Sequence, residues 1–376
     1  MVCTRINLYF GEVGFLPRNN FITVIESFKK WKKFCHSQFY GWMVVFSGFG
    51  FAAPKKQVLK FGENGKLKIL QFTDIHFKYN SYKSDSVLML MKNAVADEKP
   101  DLVVLTGDVV CSGNTKQAWL ALTKVFTDAK VPWAVVLGNH DIEYELTNKE
   151  ILGIISALPY CVAVNGPDDI SGSGNYSVPV QSARSKETKA VLWFLDSHSG
   201  LGKKSTLGSY DWIKNDQVQW YRKESAAFTK KNGGKPYPAL AFFHIPLIEY
   251  KEVWGKPQTV GVKHEDVCSP DINSGMYSAF LESGDVMGMF AGHDHVNNYI
   301  GCLHGICLAY GQATGRETYG DIGKGYRVIE LYEGERKFDT WVRIKYNADK
   351  EKDLWEPTHK TEKELFVTYP DSFKEK

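Results

Sequence analysis

Short apolar runs rich in β-branched residues alternate with longer amphipathic stretches, and many of the runs stop at a glycine, an aspartate or a histidine. That alternation constrains the fold more than any other feature. Residues 67–74, 101–105 and 133–137 read as strands. Residues 85–97 and 115–130 read as the helices between them, with Val87, Leu88, Leu90, Met91 and Val95, then Trp119, Leu122 and Phe126, at helical spacing. Strands joined by helices imply right-handed crossovers and a parallel sheet, which gathers functional loops at the carboxyl ends of its strands. The second half adds strands at 190–195, 240–243 and 286–290 and helices at 211–228 and 274–281. Shorter strands follow at 299–301, 307–310, 326–332 and 340–346. The expectation is an α/β fold in which a second sheet packs on the first with helices outside.

The flanks read differently. In residues 1–60, Lys29, Lys30, Lys32 and Lys33 precede an apolar run over 39–53 that ends in Ala52-Ala53. The run is shorter than the roughly 20 residues a bilayer crossing needs, so no stable membrane span is expected. It reads as a signal-peptide core cleaved near Ala53, with an uncleaved anchor or a buried helix as alternatives. A secreted or endomembrane (vacuolar) location follows. The domain proper is expected over 61–349, with a charged tail over 350–376. A net charge of +3 is too small to imply a nucleic-acid partner. Asn175-Tyr176-Ser177 is the one glycosylation sequon, consistent with a secreted glycoprotein. Cys302 and Cys307 flank a hairpin and could form a local disulfide or stay as two thiols.

Five strand ends carry the chemistry: Asp74-Ile75-His76, Gly107-Asp108, Gly138-Asn139-His140-Asp141, Phe243-His244 and Gly292-His293-Asp294-His295. Each has an ordinary explanation alone. Asp-x-His is near chance frequency, a lone histidine usually satisfies itself in a core, and Gly-Asn-His-Asp suits a turn. As a set they place five of the ten histidines at one predicted edge, which unrelated turns would not do. Carboxylate, imidazole and amide donors without thiolates suit Mn²⁺, Fe or Zn²⁺. In Asp-x-His and His-x-His, alternate residues of an extended segment would point to one side. Asp108 has two oxygens and is assigned to bridge two cations.

The set resembles the calcineurin-like metallophosphoesterase superfamily over about residues 67–346. The resemblance implies two face-to-face mixed β-sheets flanked by helices, an α/β/β/α arrangement. It implies one metal held by Asp74, His76, Asp108 and His295, and a second by Asp108, Asn139, His244 and His293. By the same resemblance, His140 contacts the phosphate and the leaving oxygen, with Asp141 orienting it. The stretches His244-Ile245-Pro246-Leu247-Ile248-Glu249-Tyr250, Asn273-Ser274-Gly275 and Gly292-His293-Asp294-His295-Val296-Asn297-Asn298 are similar to purple-acid-phosphatase-like proteins with an Asp-x-His first motif. Purple acid phosphatases proper carry a tyrosine three residues after the bridging aspartate. Cys111 stands there, so no purple colour is expected. Cys111 itself reads as a buried small residue or a soft metal ligand. The paired substrate-loop histidines of those enzymes are also absent, with only His264 in a comparable region.

The resemblance implies a dimetal phosphomonoesterase, acid-phosphatase-like, in which metal-bound hydroxide attacks a phosphate ester in line with its leaving group. A phosphodiesterase acting on cyclic nucleotides or other diesters would use the same ligands. A metal-bound pseudophosphatase is the non-enzymatic rival. Arg316, Tyr319 and Tyr326 follow the last motif and either line the substrate cleft or belong to a solvated loop.

Overall fold

The computed structural model describes residues 57–346, 360–361 and 366–373. The expected signal segment and its cleavage point near Ala53 lie outside them. No helix among the described residues is long and apolar enough to cross a membrane.

Helices α1 (Tyr82–Glu98), α2 (Thr115–Ala129) and α3 (Asn148–Ile155) belong to the first half of the chain, and α4 (Asn215–Lys231), α5 (Tyr250–Val253) and α6 (Met276–Ser283) to the second. In one sheet, β2 (Lys66–Phe72), β3 (Leu102–Thr106) and β4 (Trp133–Val136) run parallel, with α1 and α2 as crossovers. Helix α1 buries Val87, Leu90, Met91, Ala94 and Val95, a single stripe at three- and four-residue spacing. On its other side β2 pairs antiparallel with β11 (Lys324–Tyr332), and β11 with β12 (Phe338–Tyr346). The second sheet runs in the order β1 (Leu59–Lys60), β5 (Tyr176–Gln181), β6 (Thr188–Phe194), β7 (Ala239–Phe242), β8 (Val286–Ala291), β10 (Ile306–Tyr310) and β9 (Ile300–Leu303). Strands β6, β7, β8 and β10 in it are parallel.

Alternate strand residues face opposite ways, and the second sheet uses both faces. Leu192, Phe194, Leu240, Phe242 and Phe290 enter the core shared with the first sheet. Trp193, Ala241, Phe243 and Met289 meet Tyr221 of α4 and Phe280 of α6 in a second core. Phe194, Phe242 and Phe290 stack in succession at 5.3 and 5.5 Å, and Phe290 reaches Phe338 of β12 at 5.9 Å. The architecture is two mixed sheets face to face with flanking helices, as expected.

Several local expectations change. Helix α3 was not foreseen, although Thr147 and Glu150 form a reciprocal capping box at its start. The folded part begins before residue 61, because β1 pairs with β5 and Phe61 is buried. Part of the segment expected as a charged tail joins the sheet: β14 (Val367–Tyr369) pairs with β12, and Tyr369 stacks on Phe338 at 5.1 Å. The sequon asparagine is a poor glycan acceptor. Asn175 is 1% exposed, donates to Ser171 O, and accepts from Asp196 N and Gln217 Nε2. Cys302 and Cys307 face each other on β9 and β10 and form a disulfide.

Candidate metal centre

All five blocks sit just past the carboxyl ends of parallel strands: β2, β3 and β4 in one sheet, β7 and β8 in the other. The sheets meet there through backbone and side chain. His293 N donates to Asp74 Oδ1 at 3.0 Å, Gln71 Nε2 donates to Ala291 O at 3.1 Å, and His244 Nδ1 lies 2.8 Å from Thr106 O. Asp74, His76, Asp108 and His295 bring one ligand atom each within 4.8 Å of one another, and Asp108, His244 and His293 do the same. Asp108 belongs to both groups. Its Oδ2 lies 3.5 Å from His76 Nε2 and 3.2 Å from His244 Nε2, between the two sets.

The convergence has a different cause from the one expected. Asp74, His76, Asp108 and His293 all have positive φ, between 45° and 79°. The side chains converge because the backbone turns left-handed at these residues, not because an extended segment alternates. Non-glycine residues held in this region are strained, and such strain concentrates at functional sites. Two glycines let the pieces close. A Cβ on Gly107, itself at φ +84°, would stand 2.3 Å from His244 Nδ1; one on Gly138 would stand 2.2 Å from Asp108 Oδ1.

Charge in the cluster is internally paired. Burial raises the Asp74 carboxyl, but the His295 hydrogen bond and charge outweigh it and bring it down to about 2. Burial likewise opposes ionisation of Asp108, yet His244 and His76 hold it well below the ordinary carboxylate range. Burial disfavours a proton on His244, but the Asp108 charge overcomes this and lifts it to about 10. His293 goes the other way, down to about 3, through burial and then repulsion from His244.

The donor set fits cations better than protons. His76 Nε2, Asn139 Oδ1, His244 Nε2, His293 Nε2 and His295 Nδ1 are buried and make no hydrogen bond among the described residues. Leaving a buried polar atom unpartnered costs about 1–3 kcal/mol, so five at one place mark a ligand site rather than a satisfied core. The His244 Nδ1 position, 2.8 Å from Thr106 O, fits a ring that donates there and leaves Nε2 free for an ion. Ser197 Oγ accepts from His244 N and Ile245 N and fixes this turn, a support the sequence did not reveal.

His140 stands at the mouth, 40% exposed, its ring 5.3 Å from that of His76. Its backbone N donates to Asp108 Oδ1 at 2.8 Å, which ties the exposed histidine to the shared carboxylate. Asp141 does not orient it. That carboxylate is fully buried and accepts from Val109 N, Val110 N and Gly138 N, so it braces the β3 and β4 loops. Burial and then Asp108 push it up to about 7. The carboxylate on His140 Nδ1 is Glu143, at 2.8 Å, which sequence reasoning missed. Cys111 is a free, buried thiol whose pKa burial pushes far up, the small-residue reading rather than the ligand one. Tyr326 is fully buried against Phe72 at 5.5 Å, whereas Tyr319 is 57% exposed and stacks on His295 at 4.2 Å.

The calcineurin-like phosphoesterase family matches residues 67–297, and the chain belongs to this family. Its relatives place it beside the purple-acid-phosphatase-like proteins. It is 33% identical over 327 residues to probable inactive purple acid phosphatase 29 of Arabidopsis thaliana, spanning 78% of this chain and 84% of that one. It is 34% identical over 330 residues to phosphatase DCR2 of Saccharomyces cerevisiae, spanning 77% of this chain and 55% of that one. In fold alone it is similar to a dimetal phosphatase from Danio rerio, with a TM-score of 0.51 at 14% identity over 74% of this chain and 96% of that one.

Proposed function

We propose that the protein is a dimetal phosphomonoesterase. The observation that carries this reading is the ring of unpartnered buried donors closing on Asp108 directly beneath an exposed histidine. Asp74, His76, Asp108 and His295 would hold one cation, and Asp108, Asn139, His244 and His293 the other. Cations bound there would neutralise phosphoryl oxygens and make water acidic enough to attack phosphorus at neutral pH. Asp108 is held for its shared role by the His140 backbone. His140 faces the mouth, and with Nδ1 on Glu143 its Nε2 is the nitrogen left to give a proton to the leaving oxygen.

A second reading is a binder of phosphorylated molecules without turnover, in keeping with the word inactive in the relatives' names. The complete donor set of this chain weighs against it. Hydrolysis of an aryl monoester and a bis-aryl diester, after chelation and return of Mn²⁺, Fe²⁺ or Zn²⁺, tests the proposal. Monoester turnover that depends on the returned metal is expected. Faster diester turnover makes the protein a diesterase, and bound metal without turnover makes it a binder.

The same proposal puts the protein in a secreted or endomembrane compartment, where the Cys302–Cys307 disulfide would persist. Amino-terminal sequencing of protein recovered from such a compartment is expected to begin near Pro54. A sequence beginning at Met1 would overturn the cleavage.

A further inference from the structure

Tyr319 is exposed yet immobilised. Its ring lies 4.2 Å from the His295 ring at a 31° tilt, and its hydroxyl donates to Glu265 Oε2 at 2.7 Å. Its carbonyl accepts from the buried Lys324 Nζ at 2.9 Å, and the same ammonium reaches Thr318 Oγ1. Glu265 is itself anchored, accepting from Val296 N at 2.8 Å beside His295. Packing alone does not require such a ring, because 57% of it remains in solvent. An aromatic face held in one orientation and left open on one side is what stacking on a ligand needs, since its ordering entropy is already spent.

The ring also stands in a row. Tyr319, His295, His76 and His140 follow one another at 4.2, 5.0 and 5.3 Å between centroids, running from the exposed tyrosine over one half of the metal site to the histidine at its mouth. On the other half, Tyr210 meets His293 edge-on at 4.6 Å and is only half-buried. The mouth is therefore aromatic on two sides. Glu265 and the Lys324 ammonium set opposite charges behind Tyr319, so the platform offers no net charge to a charged ligand group.

Resting on the monoesterase reading, we propose that Tyr319 is a specificity-determining platform and that the preferred substrates are phosphate monoesters of uncharged aromatic leaving groups. The phosphate sits at the donor cluster, and the leaving ring stacks on the open face of Tyr319.

Binding separates this claim from the claim of turnover. Benzylphosphonate and ethylphosphonate, which carry the anion but no cleavable ester, are titrated against full-length metal-loaded protein. The expected result is tighter binding of the benzyl compound by about 3- to 10-fold. In Tyr319→Ala that preference collapses to about 1, whereas Tyr319→Phe retains it because the ring and the His295 stack survive. Equal affinity for the two phosphonates in the unaltered protein overturns the proposal. So does a Tyr319→Ala protein that keeps the preference, or one whose metal content falls so that both phosphonates weaken together, which would make Tyr319 a prop for His295. These readings hold whether or not the protein hydrolyses anything. Failure of turnover with an intact benzyl preference sinks only the catalytic reading.

Discussion

Strand β8 has a polar cluster at each end, and the two are built on opposite principles. At its start, the buried Asp285 is fully partnered: Oδ1 accepts from Tyr221 Oη and Val286 N, and Oδ2 from Trp193 Nε1 and Ser225 Oγ. Burial raises its pKa, and these donors restrain the rise. At the other end, His293 and His295 join a cluster in which five buried atoms lack a hydrogen bond among the described residues. Both places bury carboxylates beside aromatic rings. One is closed by protein donors, while the other is completed only by something brought from outside. Partner satisfaction, rather than burial or charge, separates a structural polar cluster from a functional one.

The sharpest way to break this contrast is Asp108→Asn. The amide cannot bridge two cations with like oxygens, so turnover is expected to fall by about 10³-fold, the upper end of the scale for losing preorganised electrostatic stabilisation. Metal content measured on the purified variant should fall with it. Near-normal turnover would remove Asp108 from the bridging position. At the closed end, Asp285→Ala strands a tyrosine hydroxyl, a serine hydroxyl and an indole N–H together, and should cost about 3 kcal/mol in denaturant unfolding. Its metal content and turnover per folded molecule should stay as they were. If metal is lost too, the ends of β8 are one cooperative unit and the contrast fails.

His140→Ala should lower turnover by about 10²-fold, the lower end of general-acid contributions, while bound metal is retained. Equal loss of turnover and metal would make His140 structural, acting through its backbone bond to Asp108. Metal return should also stabilise the chain, because an ion that binds only the folded state adds about 1.4 kcal/mol at tenfold above its dissociation constant. Thermal unfolding with and without Zn²⁺ or Mn²⁺ measures this. Asp285→Ala should keep the increment and Asp108→Asn should lose it; the reverse pattern would exchange the roles assigned to the two clusters.

The open end was the more legible of the two. Asp74, His76, Asp108, Asn139, His244, His293 and His295 each follow an apolar run, so strand periodicity alone put them on one edge. The closed end was invisible, because Tyr221, Trp193 and Asp285 lie on separate elements and nothing local links them. What failed inside the site failed for the same reason. Asp74 and His76 share a site through left-handed backbone turns, which composition does not announce. The sequon at Asn175 was legible as a motif, but its burial depends on Gln217, forty-two residues away. The capping box of Thr147 and Glu150 was readable and went unread.

The smallest effect tests the finest of these distinctions, which carboxylate serves His140. Asp141 is adjacent in sequence, but its oxygens are held by three backbone N–H groups, so altering it would disturb the β3 and β4 loops that carry Asp108 and Asn139. The Glu143 carboxylate meets the imidazole edge, and both partners are largely open to water. An exposed pair of this kind is worth under about 1 kcal/mol, so Glu143→Gln should slow turnover by less than about fivefold and leave metal content intact. The glutamine still offers an oxygen to Nδ1–H, so the ring keeps its orientation and only the charge is lost. The remaining effect should shrink as salt is raised, because screening weakens exposed charge pairs first. A loss as large as that of His140→Ala, unchanged by salt, would mean that Glu143 takes part in proton transfer itself rather than holding the ring that does.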